Sequence, residues 1–288
     1  MSFRVTLDRS IFHGESFDQL VNGSLRRACR SGRIAVYHTP ILIEETLNLW
    51  SRLNQRERVR DQLKFITDIG NGRWFRQTGE IWTREFEGKS EKERTFYSRR
   101  ENQTLIDNLR DLSNGGEFEK NEFLAAMAEK EINFQKALGL RKTLVSMREE
   151  IAKERKTKAG WASPWDSFEQ YYDLNWEHCG TEMIRKHLRT DKDSEEAIKM
   201  WVQNPSRYIY FTLWIKALLY ANYYARVDHN APIDRHTQMD ISLLVMARDL
   251  DAVISNDLAF MKSAFQALYG LTKEYLTLEQ FLARLEQG

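Results

Sequence analysis

Four acidic residues near the two ends of the chain stand at junctions between elements: Asp8 after an apolar strand, Glu45 in a helix, Asp240 opening another helix, and Asp257 closing a second strand. Converging carboxylates are hard oxygen donors suited to Mg²⁺ or Mn²⁺. One or two such ions can lower the pKa of water, orient it for in-line attack and neutralise charge on a phosphoryl group. The chemistry this suggests is phosphodiester hydrolysis. Each acid also has a structural use. An Asp at a strand end caps the next turn, Glu44 and Glu45 suit an exposed helix, and Asp240 and Asp257 can serve as N-caps. Their joint placement, with none inside a strand, is what argues for a site.

For these acids to meet, both ends of the chain must contribute to one sheet. RVTLD reads as a short strand, Glu15 to Arg30 as a helix, and RIAVYHT as a second strand bounded by Gly32 and Pro40. From Ile41 a long helix is predicted, with Ile43, Leu47, Trp50 and Leu53 at three-to-four spacing and Pro40 just ahead of its start. At the other end, Asp240 to Arg248 reads as helix, DAVIS as a buried-type strand, and Leu258 to Tyr269 as a helix ended by Gly270. EYLTLEQFLARL supplies a last strand and helix. Strands alternating with helices argue for a parallel sheet covered on both faces. Ligands bind such sheets at the carboxyl ends of the strands, where Asp8 and Asp257 fall.

Residues 71–199 differ in character from the flanking 1–70 and 200–288, being charged, tryptophan-punctuated and poor in β-branched runs. They read as a helical insertion into a discontinuous α/β domain. Phe118 to Leu138 and Arg141 to Lys158 are strong helix formers, with breaks expected at Asn71–Gly72, Gly115–Gly116, Gly160 and Ser163–Pro164. From Ser51 to Gly160 there are 24 Lys and Arg against 19 Asp and Glu, a local basic surplus. Solvated helix faces account for it, and so does contact with a phosphate backbone. On the second reading Arg52, Arg56, Arg99 and Arg100 are candidate nucleic-acid contacts, with Trp74, Phe75, Trp82, Phe96 and Tyr97 available to stack on bases or to fill the core.

Composition narrows the setting. The 288 residues suffice for one large domain or a domain with an insertion, and the formal net charge is +1. Cys29 and Cys179 lack metal-ligand spacing, so neither a disulfide framework nor a zinc site is indicated and a reducing cytoplasm is expected. The N-terminal MSFRVTLDRSIF lacks the apolar core of a signal peptide. Tyr208 to Ala225, although apolar, contains Lys216 and Asn222, and reads as a buried helix rather than a membrane span.

The segments RVTLDRSIF, PILIEETLNLW, DISLLVMA, DAVISNDLAF and YLTLEQFL together resemble the PIN domain nucleases, over about half of the chain. The resemblance implies a PIN-like three-layer α/β/α core with a mainly parallel sheet, here carrying a large all-helical insertion. It also implies metal-binding and catalytic roles for Asp8, Glu45, Asp240 and Asp257, with Glu45 matching better than Glu44. Ser255 matches a position where the family commonly has Thr or Ser beside the metal, and Asn256 follows it. Asp234, Arg235 and His236, just upstream of Asp240, are supporting candidates with a turn after Pro232 as the alternative. His13 and His38 carry no ligand spacing.

The reading expected is therefore a Mg²⁺- or Mn²⁺-dependent endoribonuclease leaving 5′-phosphate and 3′-hydroxyl ends, with RNA ahead of DNA as substrate. Homo-oligomerisation or an inhibitory protein partner, as in a toxin–antitoxin pair, is compatible with it. The alternative is a non-catalytic nucleic-acid or protein binding module on a PIN-like scaffold.

Overall fold

The computed structural model describes residues 2–50, 53–70, 74–116, 167–187, 191–224 and 235–287. Four short strands, β1 (Phe3–Leu7), β2 (Ile34–Val36), β3 (Ala252–Ile254) and β4 (Glu274–Leu276), form one sheet in the order β2-β1-β3-β4. Every pair is parallel, with Val5 opposite Val36 and Ala252, and Ile254 opposite Leu276. Parallel neighbours need crossovers. Helices α1 (Gly14–Asn22) and α2 (Leu25–Arg30) connect β1 to β2, and α12 (Phe260–Tyr269) connects β3 to β4, while all intervening helices lie between β2 and β3.

Complete burial of β2, β3 and the second half of β1 explains their near-continuous apolar sequences, while the edge strand β4 is only partly covered. Val5, Leu7 and Ile254 pack into a core with Leu20, Ile66 and Phe281, whereas Val253 joins Phe211, Leu244 and Phe265 on the other side. The mixed α/β architecture with a parallel sheet is thus as expected.

Several element boundaries depart from the sequence reading. Glu15 to Arg30 is not one helix but two, broken at Gly23, where an added Cβ would lie 2.9 Å from the Gln19 carbonyl oxygen and close to Leu282. Helix α3 (Pro40–Leu47) is shorter than its apolar spacing predicts. Thr39 caps it, accepting from Leu42 N at 3.4 Å, and Trp50 is buried beyond its end. The chain resumes in α4 (Arg56–Ile69).

Among the middle residues, α5 (Thr78–Phe86), α6 (Glu91–Thr95) and α7 (Arg99–Ser113) are followed by α8 (Phe168–His187), α9 (Asp191–Gln203) and α10 (Ile209–Tyr223). These helices share cores with both ends of the chain: Ile106 and Leu109 pack with the first segment, and Trp82, Phe168 and Trp201 with residues beyond 208. The helices expected at 118–138 and 141–158, and the breaks at 71–72, 160 and 163–164, lie outside the described residues. Helix α10 is buried through Tyr210, Phe211, Ile215 and Leu219, and no helix among the described residues is long and apolar enough to cross a membrane.

Helix α11 spans Arg235–Met246, so Asp240 sits inside it rather than opening it. The helix starts earlier because Arg235 to Met239 continue the backbone pattern without Gly or Pro. Gly270, at φ 57°, ends α12 in a conformation that only glycine adopts readily. At the start of α13 (Leu278–Gln287) the backbone N–H of Thr277 donates to Gln280 Oε1 and that of Gln280 donates to Thr277 Oγ1, a reciprocal cap.

Candidate functional site

The connection from β1 runs to β2 on one side, and that from β3 runs to β4 on the other. The strand order therefore reverses between β1 and β3, the position at whose carboxyl ends ligands bind in α/β sheets. Asp8 follows β1 directly, and its backbone N–H donates to Ile254 O at 2.9 Å, extending the ladder by one residue.

The Asp8 carboxylate is held there by two hydroxyls. Ser10 Oγ donates to Oδ2 at 2.5 Å and Ser255 Oγ donates to the same oxygen at 2.7 Å, joined by Ser10 N at 3.2 Å. A hydroxyl has one proton. With both protons directed at Asp8, the 3.2 Å approach of Ser10 Oγ to Ser255 Oγ is proximity rather than a further bond. The hydroxyl lone pairs are used in turn, Ser10 Oγ accepting from Asn256 N at 2.9 Å and Ser255 Oγ from Asp257 N at 3.1 Å. Ser10, which the sequence reading passed over, thus has the same role as Ser255. Its signal was its place two residues after a strand-end Asp, where the Asx turn forms.

Asp257 does not cap a helix directly. Its Oδ1 accepts from Ala259 N at 2.8 Å, turning the chain before α12 starts at Phe260. The Asp257 carbonyl accepts from the Tyr275 hydroxyl on β4. Burial pushes the Tyr275 pKa up, the nearby Ser255 hydroxyl opposes this, and the negative charges of Asp8, Asp257 and Asp240 add to the rise. Three of the four sequence-selected acids therefore act on one phenol, which stays protonated and donates. Asn256 ties this corner to α13, its side-chain oxygen accepting from Leu278 N at 3.1 Å.

Glu45 approaches from α3 through Arg9. The Arg9 side chain is buried, bonded through Nη2 to Gln62 Oε1 at 3.2 Å and set over the Phe12 ring. Burial lowers its pKa to about 10, with Glu45 and Asp8 opposing that shift and Arg58 assisting it. Arg9 remains a cation at neutral pH and interacts with both carboxylates. The neighbouring Glu44 faces elsewhere: it accepts from Gln77 Nε2 at 3.3 Å and acts on Tyr97. The two adjacent glutamates are thus separated by direction, and Glu45 is the one coupled to Asp8's neighbourhood.

All four acids offer oxygen donors, which fit Mg²⁺ or Mn²⁺ by chemistry. Burial pushes the Cys29 thiol up to about 11 and raises Cys179 as well, so both stay protonated at neutral pH. Among the described residues, no three His, Cys, Asp or Glu side chains are gathered into a group that could hold a metal ion. The contacts present are Ser10 and Ser255 on Asp8 and Tyr275 on the Asp257 carbonyl, while Asp240 acts on Tyr275 and Glu45 on Arg9 through their charges.

The remaining candidates divide clearly. Asp234 and Arg52 lie outside the described residues, as do the side chains of Arg235 and His236. Arg56 is occupied, donating to Trp50 O at 3.3 Å and stacking on the Trp50 ring. Arg99 and Arg100 are exposed at the start of α7. His38 is fully buried against Trp74, and burial lowers its pKa to about 4. No family model, curated protein or solved structure matches this chain.

Proposed function

We propose that this chain is a metal-dependent nuclease with a PIN-like core, acting on RNA as an endonuclease and using Asp8, Glu45, Asp240 and Asp257. The observation that carries the reading is the Ser255 Oγ to Asp8 Oδ2 hydrogen bond, which joins the two distant ends of the chain at the reversal of strand order. A bound Mg²⁺ or Mn²⁺ would supply Lewis-acid polarisation of the phosphate and activation of water. The protein's own residues do the positioning. Ser10 and Ser255 fix Asp8 through one oxygen, and Tyr275 braces the Asp257 backbone. Arg9 offsets part of the negative charge that Asp8 and Glu45 would otherwise leave unbalanced.

A second reading, a non-catalytic binding module on the same scaffold, is favoured by the lack of a three-ligand group among the described residues. The two are separated by incubating labelled single-stranded RNA, single-stranded DNA and structured RNA with Mn²⁺ and either the wild type or the Asp8→Asn and Asp257→Asn variants. The nuclease reading expects metal-dependent cleavage of RNA that both variants lose while retaining the wild-type circular dichroism spectrum. Undiminished cleavage in both variants overturns it. Carboxylate-dependent Mn²⁺ uptake by calorimetry provides a measurement independent of turnover.

A further inference from the structure

Helices α5, α6 and α7 frame a cleft of about 870 Å³ that adjoins the end of β2 through Tyr37. Five cations line it: Arg76, Arg84, Lys89, Lys92 and Arg99. They fall into two groups with different roles. Arg76 is buried and its guanidinium is fully engaged, with Nε donating to Glu93 O and Phe96 O and the Nη atoms to Glu80 and Glu101. Glu80 also pairs with Arg84 at 3.0 Å, so these two arginines and two glutamates balance. Lys89, Lys92 and Arg99 are exposed, and no ion pair is seen for them among the described residues. Against them stands one lining carboxylate, Glu93, whose oxygen is bound to Ser90. The cleft therefore carries a net positive rim.

Its wall is aromatic. Tyr37, Phe96 and Tyr97 are half-buried, with the Tyr37 and Phe96 rings 5.5 Å apart and Phe96 backed by the fully buried Phe75 at 4.8 Å. Tyr97 is stacked on the fixed guanidinium of Arg76 at 4.9 Å, which holds the ring in place. Partly exposed rings on a rigid support, bordered by exposed cations, match the two parts of a nucleotide unit. The base requires a π-face and the phosphate requires a cation. An acidic peptide would use the cations and leave the rings without a function.

We propose that this cleft binds a single strand of nucleic acid, with a base against Tyr97 and Phe96 and phosphates on Lys89, Lys92 and Arg99. Binding here requires neither the acidic residues nor a metal, so the proposal extends beyond the nuclease reading and stands or falls separately. Helix α3 is common to both regions, with Glu44 facing Tyr97 and Glu45 coupled to Arg9.

The test is fluorescence anisotropy in EDTA, where no metal-dependent cleavage occurs, using a labelled ten-nucleotide single strand in RNA and DNA forms and the duplex of the same sequence. The wild type is expected to bind at least one of the single strands, and more tightly than the duplex. The exposed double variant Lys89→Glu/Lys92→Glu should weaken binding by roughly tenfold or more and flatten the salt dependence by about 0.7 per lost phosphate contact. Tyr97→Leu should weaken binding about fivefold or more with a smaller change in salt slope. Unchanged affinity in the lysine variant overturns the proposal. So does displacement of the strand by poly-glutamate as readily as by unlabelled strand, which would indicate a generic polyanion groove. Absence of Mn²⁺-dependent cleavage by the wild type would leave a positive binding result intact.

Discussion

Ser255 Oγ donates to Asp8 Oδ2 at 2.7 Å across 247 positions of sequence, and Ser255 Oγ in turn accepts from Asp257 N at 3.1 Å. Ser255 is fully buried while Asp8 and Asp257 are partly exposed, and Asp8 keeps both Ser10 donors, so water and Ser10 offset part of the loss. Ser255→Ala should therefore lower stability by about 1 kcal/mol, the net value of a typical intramolecular hydrogen bond. Urea denaturation read by tryptophan fluorescence checks this. A shift no larger than that of an exposed Ser→Ala control would show that the hydroxyl is dispensable here.

Glu85 gives a pH prediction. Its carboxylate accepts from Tyr210 N at 3.2 Å and Phe211 N at 3.0 Å, at the positive end of α10, with Arg94 at 3.5 Å. Burial nevertheless outweighs these partners and raises its pKa from 4.5 to about 7. The folded state then holds a proton that the unfolded state releases, so Glu85's contribution is complete below pH 4.5 and is lost as pH rises through about 7. The shift corresponds to on the order of 3 kcal/mol. Burial of His38 acts in the opposite sense, because its pKa near 4 makes stability rise with pH between about 4 and 6.5. A difference between variants isolates Glu85: Glu85→Gln, which keeps an acceptor without the titration, should gain stability relative to wild type from pH 4.5 to 7.5. Parallel pH profiles of the denaturation midpoint would contradict this.

Gly70 supports His38 from the end of α4. A Cβ at Gly70 would lie 2.1 Å from His38 Cδ2, and the imidazole is enclosed against Trp74 with ring centroids 4.7 Å apart. Gly70→Ala should cost about 1–3 kcal/mol through overpacking. Combining it with His38→Ala, which vacates the space, should recover part of that loss, and additive effects in a double-mutant cycle would count against direct contact.

The parts of this fold that could be read from sequence were those fixed by local chemistry. RVTLD and DAVIS are buried strands followed by polar turns, and they do lie side by side with Asp8 next to Ser255. Gly270 ends a helix as its type predicts. What was hidden depends on packing across the molecule. Gly23 divides a segment that reads as one helix, at a place where a side chain would meet the Gln19 carbonyl and Leu282 from the far end of the chain. Arg9 carries no sequence signal of its own, yet it is buried over Phe12 and its charge acts with that of Glu45. Asp240 reads as a cap because a helical stripe follows it, although the helix already begins at Arg235. Tyr275 had no sequence signal, since a strand tyrosine is ordinarily a packing residue, and only the parallel register brings its hydroxyl to Asp257.

Arg76 is the member of the cleft whose loss should be structural. Its side chain is 6 % exposed, bridges Glu80 at 2.6 Å and Glu101 at 2.9 Å, and bonds the carbonyls of Glu93 in α6 and Phe96 just after it. Glu80 and Glu101 are 34 % and 44 % exposed, so water screens them once the cation is removed and the full penalty of a buried unpaired charge does not apply. The carbonyls of Glu93 and Phe96 lose a buried donor. Arg76→Met should therefore destabilise by about 2–3 kcal/mol, below the 3–5 kcal/mol of a fully buried broken pair. Arg76→Lys should recover little, because one ammonium cannot serve two backbone carbonyls and two carboxylates held in a planar fork. A lysine variant with wild-type stability in urea denaturation would mean that charge alone, rather than the fork geometry, joins these helices.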